Sequence, residues 1–82
     1  MIYIKKRLSN KIIYQDFIEK TKLSKEEIDI LNMYIANESH VKIGMDLGLS
    51  PRSVGNRIRL LKEKYKIYRD IQESILEALL KK

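Results

Sequence analysis

Between residues 23 and 36 the apolar positions fall at the spacing of one helix face. Ile28, Leu31 and Ile35 lie three and four apart, and Ile30 and Tyr34 widen the stripe. Its start is well marked. Ser24 with Glu27 three residues on makes a capping box, and Leu23 and Ile28 flank it as a hydrophobic staple. Asn37, which tolerates the left-handed backbone of a helix stop, closes the stripe, so the pattern predicts a helix over 25–36.

A second start follows at Ser39. Ile43 and Leu47 form a short stripe ending at Gly48, the residue type suited to a left-handed stop, which gives a helix of about two turns. Leu49-Ser50-Pro51 then supplies a staple residue, an N-cap and a proline at the first helical position, where its missing N–H costs nothing. In the helix this opens, 51–65, Val54, Ile58, Leu61 and Tyr65 share one narrow face. Arg52, Asn56, Arg59 and Glu63 share the opposite one.

Beyond Tyr65 two readings stand side by side. Asp70 and Glu73 can box a separate fourth helix over 71–81 after a break at 66–69. Yet no Gly or Pro follows Gly55, and Val54, Ile58, Leu61, Tyr65, Tyr68, Gln72, Ile75 and Leu79 keep one four-three rhythm, as a single long helix would. In both readings the apolar arc that includes Ile71, Ile75, Leu76, Leu79 and Leu80 is wider than a small core requires. The surplus predicts a dimer contact, through Tyr68, Gln72, Leu76, Leu79 and Leu80.

The first 22 residues read as an extension to a domain covering 23–82. Ile12, Ile13, Phe17 and Ile18 can form a helical stripe, whereas 2–8 and 11–18 about Ser9-Asn10 can form a hairpin that lacks the favoured turn chemistry. Helix is the preferred expectation.

A length of 82 residues leaves room for one small domain. With no cysteine, neither a disulfide framework nor a thiolate metal site is available. The longest apolar runs, 1–4 and 33–36, are far below the ~20 residues needed to cross a bilayer. Lys5, Lys6 and Arg7 follow the first run instead of preceding a longer one, so no leader pattern is visible. A cytoplasmic protein with no membrane partner is expected.

Charge changes the picture more by its position than by its total of +6. Residues 51–69 hold seven cations and one anion, whereas 12–50 hold four cations and seven anions. Such a biased stretch points to a polyanion partner. A short helix, a Gly-containing turn and a helix with a cationic outer face is the arrangement of a helix-turn-helix, whose second helix enters the major groove of duplex DNA. Arg can bond guanine O6 and N7 together, and Asn can bond adenine N6 and N7. Arg52, Asn56 and Arg59 are therefore the candidate base readers.

These same segments resemble a known family. Leu23-Ser24 with Glu27 and Leu31, Ser39, Ile43-Gly44, Leu47, Leu49-Ser50, Ser53-Val54, Lys64-Tyr65, Ile67 and Gln72 match the LuxR/GerE-type DNA-binding domain in spacing, without gaps, over about 23–80. The resemblance implies an all-α fold, a small four-helix helix-turn-helix domain carrying the short N-terminal extension. It also implies a transcription regulator of bacterial or phage type, nucleoid-associated, that dimerises through its last helix on double-stranded DNA. Ser53 would then contact phosphate, and Gly55 and Asn56 would face the groove. The chain departs from the family at four places. Gly55 replaces a groove-reading Lys, Arg57 a His, Asn37 a Gly, and Lys66 the Gly before the fourth helix, which moves the weight of base reading to Arg52, Asn56 and Arg59. Sigma-factor region 4 is similar too, through Ser53-Val54 and Arg57-Ile58.

Arg57 and Lys64 flank the reading face and are expected to touch phosphate, as are Lys42 and His40 near the start of the bracing helix. His40 is the only His and has no partner at ligand spacing, so no metal is expected. Glu26, Glu27 and Asp29 crowd a helix start, where they favour the macrodipole and the cap over catalysis. Glu63 sits at ion-pair spacing from Arg59. No nucleophile elbow, phosphate loop or small-molecule motif occurs, so neither an enzyme nor a cofactor is expected. Tyr34 and Tyr65 lie on apolar stripes and are assigned to the core. The alternative to a DNA-binding dimer is a sigma region-4-like or adaptor module whose main partner is RNA polymerase or another regulator. Its protein surface would lie on Leu60, Leu76 and Leu80.

Overall fold

The start signals at Ser24, Ser39 and Ser50 are used as they stand. In the computed structural model, which describes residues 4–80, five helices follow one another: α1 (Ile4–Leu8), α2 (Lys11–Thr21), α3 (Lys25–Ile35), α4 (His40–Leu47) and α5 (Pro51–Leu80). The chain is all-α over this range. Residues 1–3 and 81–82, the outer ends of the expected hairpin and last helix, lie outside the described residues.

Each cap meets backbone donors that the first turn of a helix leaves free. Ser24 Oγ accepts from the Glu27 N–H at 3.2 Å while Glu27 Oε1 accepts from the Ser24 N–H at 3.1 Å, completing the capping box. Ser39 Oγ accepts from Lys42 and Ser50 Oγ from Ser53 in the same way. Asn10 does so for α2, accepting from the N–H groups of Ile12 and Ile13. That cap makes the N-terminal segment two helices and removes the hairpin alternative. Lys22 and Asn37, both left-handed, end α2 and follow α3.

Three expectations are corrected. The break at 66–69 and the separate fourth helix do not form; α5 runs unbroken for 30 residues, about 45 Å at 1.5 Å per residue, because nothing in 56–80 interrupts a helix. Asp70 and Glu73 pair instead with Arg69 on the surface of α5. Residues 4–21, read as an extension, supply Ile4, Leu8 and Phe17 to the same core as Ile30, Leu31, Ile43, Val54, Ile58, Leu61 and Tyr65. Tyr34, assigned to the core, is half-buried and faces outward enough to meet two lysines.

Helices α2, α3 and α4 all pack on the buried stripe of α5, and α1 closes over α2 and α3. Phe17 meets Tyr65 and Tyr68 edge-on, with ring centroids 5.4 and 5.3 Å apart. The Tyr68 hydroxyl donates to Asp16 Oδ2 at 2.6 Å, tying α2 to α5. That hydrogen bond, helped by Lys20, holds the Asp16 carboxyl below its ordinary 3.8 against the opposing effect of burial. Burial, then the Asp16 carboxylate, pushes the Tyr68 hydroxyl well above its ordinary 10, and burial raises Tyr65 too.

The connection between α4 and α5 depends on close backbone approach. Gly48 takes the left-handed conformation (φ 70°), and the N–H of Leu49 donates to the Gly44 carbonyl at 2.8 Å. A Cβ on Gly44 would collide with the Leu49 carbonyl oxygen. One on Gly55 would rest at ordinary contact distance from the His40 ring. Gly44→Ala should therefore lower the unfolding free energy by about 1–3 kcal/mol in a urea titration. Gly55→Ala should be neutral or stabilising by up to ~1 kcal/mol, because Ala is the better helix former. Equal losses at both positions would refute the close approach as the limiting feature.

The pKa directions set a pH window for stability. Folded Asp16 releases its proton more readily than the unfolded chain, so its contribution is present above pH 3.8 and fades as pH falls through its lower folded value. Folded Tyr65 and Tyr68 hold their protons more tightly, so their contribution is present below pH 10 and fades above it. Glu27, also held below its ordinary 4.5, adds to the acid edge, so thermal midpoints should be flat from about pH 4.5 to 10 and fall beyond both. Tyr68→Phe should soften both edges.

Candidate nucleic-acid interface

The buried stripe of α5 decides what its other faces present. With Val54, Ile58, Leu61 and Tyr65 turned inward, Arg52, Asn56, Arg59 and Glu63 project on the opposite side and all are exposed. Arg52 makes no ion pair among the described residues. Arg59 donates to Glu63 Oε1 at 3.1 Å, the pairing its four-residue spacing favours. From Arg52 to Arg59 the helix rises about 10 Å at 1.5 Å per residue, so the three candidate readers sit within two turns. Ser53 is half-buried beside them, its hydroxyl shared with Ser50 at 3.0 Å.

Helix α4 crosses the start of α5. His40 lies against Gly55, at the position where the resembled family carries a Lys, so a side chain at 55 would begin in contact with the imidazole. Lys42 is exposed in the first turn of α4 and lies 3.8 Å from Asp46. His40 thus stands beside α5 at Gly55, while Lys42, two residues further along α4, is turned to solvent.

Arg57 and Lys64 occupy a different flank. Arg57 pairs with Glu26 and Lys64 with Glu27, both at the start of α3. Burial opposes ionisation of Glu27, but hydrogen bonds from Lys64 and Ser24 outweigh it and hold its carboxyl below the ordinary 4.5. One carboxylate therefore caps α3 and also clamps α3 to α5. The sequence marks Glu27 as a cap but carries no sign of this second role, because its partner lies 37 positions away. As placed, Arg57 and Lys64 neutralise α3, whereas Arg52, Lys62 and Lys66 carry charge with no carboxylate partner among the described residues.

A second feature absent from the sequence reading centres on Tyr34. Lys5 of α1 lies 4.6 Å and Lys62 of α5 lies 5.5 Å from its ring centroid. Each such contact at an exposed site is worth about 0.5–1 kcal/mol. Lys5 Nζ also donates to Asn37 Oδ1 at 2.9 Å.

The residues expected at a dimer contact divide in two. Tyr68 and Gln72 are half-buried along the body, with Tyr68 already bonded to Asp16. Leu76, Leu79 and Leu80 are exposed, and with Ile67, Ile71 and Ile75 they form an apolar surface whose members are 49% to 75% exposed. Leu60 is exposed as well, on the flank of α5 next to the reading face. Among the described residues no three His, Asp or Glu side chains converge on a point that would suit an ion, and no helix is long and apolar enough to cross a membrane.

Comparison with known proteins finds no matching family model, no matching characterised protein and no matching solved structure. The Glu27–Lys64 pair is a structural tie: a double-mutant cycle between Glu27→Gln and Lys64→Met should give a coupling of about 0.5–1 kcal/mol that shrinks in high salt. No measurable coupling would show that the two side chains act independently.

Proposed function

We propose that this chain is a sequence-specific, double-stranded DNA-binding transcription regulator of bacterial or phage type, nucleoid-associated and acting as a homodimer. The observation that carries the reading is the exposed Arg52, Asn56 and Arg59 at the start of a helix pinned by a short helix and a tight glycine turn. In this reading α4 and α5 are the two helices of a LuxR/GerE-like helix-turn-helix. The first two turns of α5 enter the major groove, which is ≈ 12 Å wide and admits one helix. Arg52 and Arg59 offer guanidinium forks to guanine, and Asn56 offers an amide to adenine. Glu63 holds Arg59 in place until a base edge replaces it.

His40, Lys42 and Ser53 stand where phosphates flank the groove and position the protein without reading sequence. Arg57 and Lys64 take part there only by leaving Glu26 and Glu27, so their share in DNA affinity is smaller than that of an unpaired lysine. The apolar surface of the last turns of α5 pairs the protomers, with Leu76, Leu79 and Leu80 at its centre and Gln72 at its edge.

The decisive experiment is selection from random duplex DNA at near-physiological salt, with the mass of the complex determined. An inverted repeat bound by two chains is the expected result. Arg52→Ala and Asn56→Ala should each relax preference at particular base pairs by about 1–3 kcal/mol, leaving other positions unchanged. Retention with no enriched motif, or uniform losses from both substitutions, would sink the assignment of base readers. Failure to retain DNA, together with retention by RNA polymerase that Leu60→Asp abolishes, would favour the adaptor reading.

A further inference from the structure

Three of the cations that have no carboxylate partner among the described residues, Lys5, Lys62 and Lys66, lie along one flank of α5. Gly55, Lys62 and Lys66 lie seven and four residues apart and so share a single strip along α5. The upper end of that strip faces His40 at the start of α4, because a side chain at 55 would touch the imidazole. Its middle faces the end of α3 and the start of α1, because Lys62 and Lys5 meet on the Tyr34 ring. Their ammonium groups are no more than about 10 Å apart, comparable to the screening length of ≈ 10 Å in 0.1 M salt, so they act on a ligand as one charged surface. Among the described residues Lys5, Lys62 and Lys66 have no carboxylate within ion-pair distance. The aromatic ring and the Asn37 amide fix where this charge stands without neutralising it.

This contrasts with the opposite flank of α5, where Arg57 and Lys64 are cancelled by Glu26 and Glu27. The chain thus neutralises one side of its recognition helix and leaves the other positive. We infer that Lys5, Lys62 and Lys66 form a second, sequence-independent DNA contact, a phosphate-tracking ridge that extends the interface from α4 onto α1. It rests on the DNA-binding reading above and gives the N-terminal helix a role beyond its two core residues. The occupant is the sugar-phosphate backbone of the same duplex, just beyond the groove that α5 enters. Duplex DNA carries one negative charge per ≈ 1.7 Å of axis, so a row of ordered, unpaired ammonium groups needs no particular base sequence to engage it.

The test uses the full chain with Lys5→Gln, Lys62→Gln and Lys66→Gln, singly and together. Binding is followed by fluorescence anisotropy over a salt series, on the duplex selected by the wild type and on a scrambled duplex. The expected result is an equal fold-loss of affinity on both duplexes. The salt dependence should become shallower by about 0.9 in log–log slope for each phosphate that a substituted lysine no longer neutralises, up to ~2.7 for the triple variant, with the selected motif unchanged. Lys→Arg at the same three positions should restore the slope. Should the changes beside Tyr34 unfold the chain, Lys66→Gln alone, free of that ring, carries the test. A folded variant with wild-type affinity and slope overturns the ridge and leaves the helix-turn-helix reading intact. A wild type that retains DNA without enriching a motif, with ridge variants still losing affinity, overturns sequence-specific reading and keeps the ridge. A wild type that retains no duplex overturns both.

Discussion

Val54, Ile58, Leu61 and Tyr65 form a strip of α5 against which α2, α3 and α4 are packed. Burial of this strip fixes the rotation of α5 about its axis, and that rotation determines every outward face. Turning the helix by one residue, about 100°, would bring Gly55 and Arg59 toward the core and carry Val54 and Ile58 out of it. The cost of burying an unpaired guanidinium rules that arrangement out. The positions of Arg52, Asn56 and Arg59 are consequences of hydrophobic burial and not of any contact they make themselves.

The strip is long enough to recruit more than α3 and α4. Tyr65 and Tyr68 continue it to Phe17, and the Tyr68–Asp16 hydrogen bond secures α2. Ile4 and Leu8, one helical turn apart, bring α1 into the same core. A domain of α3 to α5 alone would leave Tyr65 and the middle of α5 uncovered. The N-terminal helices supply that cover and, in doing so, place Lys5 next to Lys62.

Beyond Gln72 the strip is exposed among the described residues. Ile75, Leu76 and Leu79 keep the apolar pattern while α5 extends along the 51 Å long axis of the molecule. One helix thus serves two purposes at its two ends: a polar face on its first turns and an apolar face on its last. Its continuity holds the two ends in fixed register.

Much of this was legible in the residues themselves. The caps at Ser24, Ser39 and Ser50, the stop at Gly48 and the inward and outward faces of 51–65 follow from local rules, because capping and periodicity act over a few residues of one helix. The Asn10 cap was legible in principle: Asn before Ile12, Ile13 and Phe17 at helical spacing is an N-cap signature that a reading of Ser9-Asn10 as a hairpin turn overlooks. Whether α5 breaks at 66–69 could not be decided locally, since the Asp70 box and the continuous heptad are both sound signals. The lack of Gly or Pro after Gly55 permits the continuous helix, and the packing of Tyr65 and Tyr68, one turn apart, on Phe17 uses it. The charges depended on tertiary structure most of all. The sequence counts seven cations in 51–69, but only the fold sets Glu26 and Glu27 beside Arg57 and Lys64, and an aromatic ring beside Lys62. Local sequence determined the helices and their faces because those arise from neighbours along the chain. The tertiary structure alone decided which charges remain uncancelled, because ion pairing joins residues that only the buried core brings together.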